Sequence, residues 1–414
     1  MLITFYDSYT CLSKVYGNGA YLKQAMNDTV IRESSRSHFT KICYGVLDKE
    51  ITLNYIIKKL CPKNPKLAVR TILKIGLYSI IYLQDSPYAV TDSCVELAKK
   101  LGKGGTAGFI NAVLRNYLRK GVEYPTEKIA SLSVKYSYPE FLVKSLIKDY
   151  GEELAEGVMS SDTERTFIRF NIGINGEDYL KNKGYSYENT PFSNSFSVEK
   201  FKMDEDFYSG VYTFQAVGSV AICDMVDDSE TLLDTCSAPG GKAVNLADKF
   251  TSVTATELHE HRVSLINSYK SRMNKENVTA MQSDATVFNP SFEKKFDAVL
   301  CDVPCSGTGV VKDNPDIKLN RQEENIKELT KIQLKILLNS SKYVKKGGCL
   351  YYSTCSVIQE ENSKVVKEFL KQNPNFTYEE TTSKLHHLKL GVGLQFLPNI
   401  SMGAGFYFAK LKKK

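Results

Sequence analysis

The sequence predicts an all-α bundle, then a small α+β segment, then an α/β domain built on a parallel, doubly wound sheet. Three patterns carry this reading. Residues 1–125 show helical periodicity with no convincing period-two strand, residues 138–229 mix short strands and helices, and residues 230–414 alternate strand with helix. At 414 residues, with 42% hydrophobic and 24% charged content, the chain is long enough for two or three domains of roughly 150 residues each.

In the first region, Phe39, Ile42, Cys43, Val46 and Leu47 fall on one helical face, with Ser35 or Ser37 placed to cap its start. "KLAVRTILKIGLYSIIYL" is more thoroughly apolar, as the central helix of a bundle is. "GTAGFINAVLRNYLRK" turns Phe109, Ile110, Val113, Leu114 and Tyr117 inward and Arg115, Arg119 and Lys120 outward. Residues 1–140 hold 20 Lys or Arg against 11 Asp or Glu, a surplus of 9 in a chain whose net charge is only +7. A basic surface confined to one end suits a polyanion such as RNA.

"GVEYPTEK" (121–128) reads as a linker. "TFIRFNI" alternates as a strand, "GEDYLKNKG" is a short helix, and "SGVYTFQAVGSVAICDMV" runs from strand into helix. From 230 the units are "TLLDTC" and "GKAVNLADKF", "SVTATEL" and "HEHRVSLINSYKSRM", "VTAMQSD", "FDAVLCDVP" with a long helix over about 321–345, and "GCLYYSTC" with "ENSKVVKEFLKQ". "LQFLPNI" and "AGFYFAKLKK" form a closing antiparallel hairpin. Ligands bind such sheets at the carboxyl ends of the strands. No apolar run approaches the roughly 18 residues of a bilayer span, and the N-terminus lacks signal-peptide features, so a cytoplasmic protein without a membrane partner is expected. The 10 cysteines include no Cys-x-x-Cys pair, so neither a metal site nor a disulfide framework is expected.

"DTCSAPGGKAVNLAD" (234–248) is a strand end, a small-residue turn and a helix start. It is neither a phosphate loop, since Cys236 stands five before Gly241 and Ala243 follows Lys242, nor GxGxxG. What remains is a nucleoside without a pyrophosphate. Glu257, ending the next strand, can accept from ribose hydroxyls. Asp284 completes an acidic rim suited to a cationic sulfonium, so S-adenosylmethionine fits better than NAD.

Two thiols, Cys305 in "FDAVLCDVPCSGTG" and Cys355 in "LYYSTCSVIQEEN", stand at the ends of adjacent predicted strands. Carbon 5 of cytosine is barely nucleophilic until a thiolate adds to carbon 6, so its methylation requires a cysteine, with a second group to help eject it. Asp302, three residues before Cys305, supplies a carboxyl group for ring nitrogen 3 and the exocyclic amine. Chemistry alone leaves open which thiol attacks. Cys301 and Cys349 are expected to be strand interior, and Cys236 to matter through its backbone.

"DTCSAPGGK", "DVPCSGTG" and "YSTCSVIQEEN" closely resemble the motifs of RNA cytosine-5 methyltransferases of the RsmB/NOP family. The basic helical start with "INAVLR" is similar to the NusB-type RNA-binding domain of its bacterial RsmB (Sun/Fmu) branch. The resemblance spans essentially the whole chain. It implies a NusB-like domain over 1–125, a linking subdomain over 138–229 and a Rossmann-like methyltransferase domain over 230–414. It also implies methylation of a cytidine in 16S (small-subunit) rRNA with S-adenosyl-L-methionine, giving 5-methylcytidine. Carried over by motif, Cys355 is the nucleophile, Cys305 the thiol assisting release and Asp302 the acid at the base. Cys236, Ser237, Ala238, Pro239, Gly240, Gly241, Lys242, Glu257, Asp284 and Asp302 surround the cofactor. Ala216 and Ala404 stand where the family commonly has acidic residues, Ser237 where alanine is common, and Glu257 where aspartate is frequent. A monomer acting on RNA, not DNA, is expected. The alternatives are the same chemistry on tRNA, or a non-catalytic ribosome assembly factor.

Overall fold

Helical periodicity becomes helices in the first part of the chain: α1 (Leu2–Asn18), α2 (Leu22–Asn27), α3 (Arg36–Asp48), α4 (Glu50–Leu60), α5 (Leu67–Ile81), α6 (Pro87–Lys100), α7 (Ala107–Lys120), α8 (Lys128–Tyr136), α9 (Glu140–Tyr150) and α10 (Glu152–Ser160). The computed structural model describes residues 1–414 apart from 33–34, 162–164 and 321. It divides into two units, Met1–Met159 with Val311–Arg321, and Ser160–Val310 with Gln322–Lys414.

In the helical unit, the α3 face of Phe39, Ile42, Cys43, Val46 and Leu47 is wholly buried, and each such side chain contributes about 1.5–3 kcal/mol. Ser35 stands at the N-cap of α3, but its side chain makes no capping bond. The most apolar helix, α5, packs against α1, α3, α4, α6 and α7. At its crossing with α3, a Cβ on Gly45 would lie 1.9 Å from the tip of the Tyr78 side chain, so a larger residue there requires that ring to move. Lys74 is buried in that helix and paired with the Glu50 carboxylate, to which the Tyr16 hydroxyl also donates. On α7, Ile110, Val113 and Leu114 are buried, while Phe109, expected inward, is exposed at the margin of the apolar stripe. Arg115, Arg119 and Lys120 are exposed, as the spacing predicts.

The second unit opens with β1 (Thr166–Phe170), α11 (Gly176–Asn182), β2 (Tyr187–Asn189), β3 (Ser195–Val198), α12 (Glu205–Tyr208), β4 (Tyr212–Phe214) and α13 (Val217–Met225). Its small sheet has the order β2-β3-β1-β4 and is antiparallel throughout. Then come β5 (Ser229–Asp234), α14 (Gly241–Leu246), β6 (Phe250–Glu257), α15 (Glu260–Arg272), β7 (Val278–Gln282), β8 (Phe296–Asp302), α16 (Ile317–Asn320), α17 (Glu323–Ser340), β9 (Val344–Thr354), α18 (Ser363–Gln372), β10 (Phe376–Glu379), β11 (Leu388–Lys389), β12 (Leu394–Phe396) and β13 (Phe406–Lys413). The expected start of α17 at 321 lies outside the described residues.

Among the described residues the large sheet has the order β11-β12-β13-β9-β8-β5-β6-β7, with β10 beside β13. Strands β7, β6, β5, β8 and β9 run parallel. Strand β13 is antiparallel to both β9 and β12, so the closing hairpin extends the sheet. Apolar residues on the two faces form separate cores. Cys301 and Cys349 lie buried inside β8 and β9, as expected of them.

The segment Val311–Arg321 leaves the second unit's chain and belongs to the helical one. On α16, the wholly buried Lys318 donates to Asp48 Oδ1 at 2.7 Å and lies 4.4 Å over the Tyr138 ring. No helix of the described residues is long and apolar enough to cross a membrane.

Candidate active site

The carboxyl ends of β5, β6, β7, β8 and β9 converge on a cleft of about 420 Å³ within the second unit. Its lining includes Cys236, Ala238, Glu257, Asp284, Asp302, Cys305 and Cys355. Topology explains the convergence, because parallel strands joined by helices bring all their carboxyl ends to one edge.

The loop after β5 is tied to both neighbouring strands. Thr235 N–H donates to Leu300 O at 3.0 Å and Ser237 N–H to Thr256 O at 2.9 Å. Gly240 has φ +104°, a conformation that favours glycine, and a Cβ there would press on Ile266 at 3.3 Å. Lys242 points from α14 to Asp302, with Nζ 2.7 Å from Oδ2. Burial lowers the Lys242 pKa, but the ion pair with Asp302 outweighs it and the net shift is upward. Ser353 on β9 donates to the other oxygen of Asp302 at 2.7 Å, which follows from the parallel register that sets Asp302 beside Ser353.

Glu257 is buried at the end of β6. Its Oε1 accepts from Arg262 at 3.1 Å and from His259 N–H at 3.3 Å, and Arg262 also donates to Ala238 O at 3.1 Å. Asp284 accepts from the N–H and hydroxyl of Thr286, both at 2.8 Å. Beneath them Asp234 is fully buried, and neither carboxylate oxygen has a hydrogen-bond partner. Burial, reinforced by the charge on Asp302, pushes its pKa up to about 7.

Cys355 directly follows β9 and Cys305 stands three residues beyond the end of β8. Their sulfurs are 3.2 Å apart. The hydrogen bond to Cys355, then burial, raises the Cys305 pKa well above the ordinary thiol value. Either sulfur can be the donor in this contact.

Of the residues singled out in the sequence, Cys236, Ala238, Glu257, Asp284, Asp302, Cys305 and Cys355 share the cleft lining. Ser237, Pro239, Gly240 and Gly241 shape the loop behind it, and Lys242 reaches the site through Asp302. Sequence reasoning did not find Arg262, Asp234 or Ser353. Arg262 had one signal, an arginine in the first turn after Glu257; the other two needed the strand register.

Ala216 occupies the N-cap of α13 with no side chain to cap it. Ala404 is buried where a Cβ on Gly218 would come within 2.9 Å of it. Among the described residues no group of three or more His, Cys, Asp and Glu is placed to hold a metal.

Residues 222–412 match the family described as 16S rRNA methyltransferase RsmB/F, and residues 9–119 match the NusB family. The chain is 31% identical, over 97% of its length and 97% of the relative's, to a Bacillus subtilis (strain 168) protein called probable ribosomal RNA small subunit methyltransferase B. A solved protein designated PH0851 matches 100% of this chain and 98% of its own at TM-score 0.83 and 21% identity. NSun6 from Pyrococcus horikoshii, solved with SFG, covers 67% of this chain and 99% of its own at TM-score 0.60 and 19% identity. The two structural likenesses establish the fold.

Proposed function

The chain belongs to the 16S rRNA methyltransferase RsmB/F family, and from that premise we propose that it methylates carbon 5 of a cytidine in small-subunit rRNA through a cysteine–cytosine adduct. The cofactor is S-adenosylmethionine, which supplies an electrophilic methyl group. The cleft suits it: Glu257, Asp284 and Asp302 give a carboxylate rim for a cationic ligand, and the Gly240 turn lets backbone approach closely.

The observation supporting the covalent step is the 3.2 Å contact of Cys305 with Cys355 in the same cleft as Asp302. As a thiolate, its proton given up to solvent, Cys355 adds through sulfur to carbon 6 of the cytosine. The ring electrons shift to carbon 5, which becomes nucleophilic enough to take the methyl group. Asp302, held by Lys242 and Ser353, faces the ring nitrogen and exocyclic amine and stabilises the adduct. The carbon 5 proton passes to water, and the Cys355–carbon bond breaks to return the Cys355 thiolate, which the thiol of Cys305 stabilises at hydrogen-bond distance. The basic NusB-like region supports the RNA backbone while the base is extruded at a cost of a few kcal/mol.

The test is transfer of a labelled methyl group to deproteinised small-subunit rRNA by the full-length protein, Cys355→Ala and Cys305→Ala, with a denaturing gel for trapped adduct. Label on carbon 5 that is lost in Cys355→Ala, with adduct accumulating in Cys305→Ala, supports the assignment. Transfer surviving in Cys355→Ala overturns the covalent route. Transfer to tRNA alone overturns the substrate.

A further inference from the structure

Between β9 and α18 lies a buried carboxylate to which the reaction scheme gives no part. Glu361 is 0% exposed, and among the described residues no lysine or arginine meets its carboxylate. Four donors serve it instead. Its Oε1 accepts from Ser306 N–H at 2.7 Å and Gln333 Nε2 at 3.0 Å, and its Oε2 accepts from Ser306 Oγ at 2.5 Å and Ser356 Oγ at 2.6 Å. That fills the four acceptor sites of an ionised carboxylate.

A buried anion held only by neutral donors is expensive to desolvate, and an apolar side chain of the same size is usually the more stable choice. The placement gives the reason for its presence. Ser306 directly follows Cys305, and Ser356 directly follows Cys355. One carboxylate therefore spans two loops 50 residues apart in sequence, at the residues next to the two thiols. A second link runs in parallel: Thr308 Oγ1 lies 3.0 Å from Ser356 Oγ and accepts from Val357 N–H at 3.1 Å. Gln333 of α17 donates to Pro304 O at 3.0 Å as well, so it braces the Cys305 side of the same bridge.

Resting on the covalent reading above, we propose that Glu361 is a positioning residue for that step: its carboxylate clamps the Cys305 and Cys355 loops together and sets the distance between the two sulfurs. Its charge acts in the same direction as its geometry. The negative charge on Glu361 adds to the effects that keep Cys305 protonated, so the clamp also helps decide which thiol carries the proton.

Glu361→Gln tests this in the full-length protein. The amide keeps shape and volume, and the serine hydroxyls can rotate to accept from its NH₂, so folding is retained while the charge is lost. Three quantities are measured beside wild type and Cys355→Ala: S-adenosylmethionine affinity by calorimetry, kcat and KM for methyl transfer to rRNA, and the pH dependence of Cys305 alkylation read by mass spectrometry. The expected result is kcat lowered 10-fold or more, KM and cofactor affinity within about 2-fold of wild type, and a Cys305 alkylation midpoint moved to lower pH. Ser306→Ala, which removes one of the four donors and no charge, is expected to lower kcat less and leave the midpoint unmoved. An unchanged kcat and midpoint in Glu361→Gln, with Cys355→Ala inactive, overturns the clamp and leaves the covalent reading standing. A loss of kcat matched by an equal loss of cofactor affinity also overturns it, because the residue then acts on the pocket. Full activity in Cys355→Ala overturns the covalent reading itself.

Discussion

Each unit of this protein contains a pair of neighbouring thiols and a lysine–aspartate pair, and the two sets stand in opposite surroundings. In the helical unit Cys11 and Cys43 are close neighbours, both wholly buried in an apolar core. In the other unit Cys305 and Cys355 meet at the mouth of a cleft. Lys318 is sealed in with Asp48, and burial pushes its pKa down to about 8. Lys242 keeps some access with Asp302 at the cleft, and its pKa is shifted upward. Contact between reactive groups is thus not itself a sign of chemistry. What separates the sets is whether a substrate can reach them and whether the strand ends bring a third group alongside.

The widest separation is expected between the thiol pairs. Cys355→Ala should lower methyl transfer by more than about 1,000-fold, the scale of removing a covalent nucleophile, with little change in thermal stability. Cys43→Ala should leave kcat unchanged and cost about 1–2 kcal/mol in urea unfolding, through a small buried cavity. If Cys43→Ala impairs kcat at full folding, the contrast fails.

The ion pairs come next. Asp48→Asn leaves the Lys318 ammonium buried without its counter-charge, and should destabilise by about 3–5 kcal/mol. Since a buried lysine can shed its proton, the deficit should shrink as the pH is raised past 8. Denaturant titrations at pH 7 and pH 9 give the comparison.

A third test uses Asp234, whose folded-state pKa of about 7 lies above the ordinary carboxylate value of 3.8. The native state then binds more protons than the unfolded chain between those values, so the contribution of Asp234 to stability falls as pH rises from about 4 to about 7. The full loss is up to roughly 4 kcal/mol. Asp234→Asn should remove that component from the pH–stability curve; an identical curve would count against the buried, partnerless carboxylate. The smallest effect is a control beside the cleft. Ala216→Asp supplies the missing N-cap of α13 and should stabilise by about 1 kcal/mol, seen as a rise in Tm.

Much of this was legible in the sequence because it depends on local pattern. Helical spacing alone places Ile42, Cys43 and Val46 in a core, and strand–helix alternation alone puts Cys305 and Cys355 at strand ends. Features that depend on pairing were not legible. The partnership of Lys242 with Asp302 spans 60 residues and that of Asp48 with Lys318 spans 270. No periodicity marks either. The helical face of Phe39 to Leu47 does not show where its helix ends; the chain breaks at Lys49 into α3 and α4. There the Glu50 side chain is needed facing Lys74 and Tyr16. Glu361 reads as one more surface acid in "QEEN"; only the fold reveals that it is buried.

The return of Val311–Arg321 to the helical unit sets an order of events in the cell. A ribosome finishes residues 1–159 well before it reaches Lys318, and at about 5–20 residues per second the wait is roughly 10–30 seconds. Throughout that time Asp48 has Lys49 beside it but lacks the buried ammonium of Lys318. The helical unit reaches its final form only after β8 and the Cys305 loop have emerged, so its maturation follows synthesis of the first half of the cleft lining.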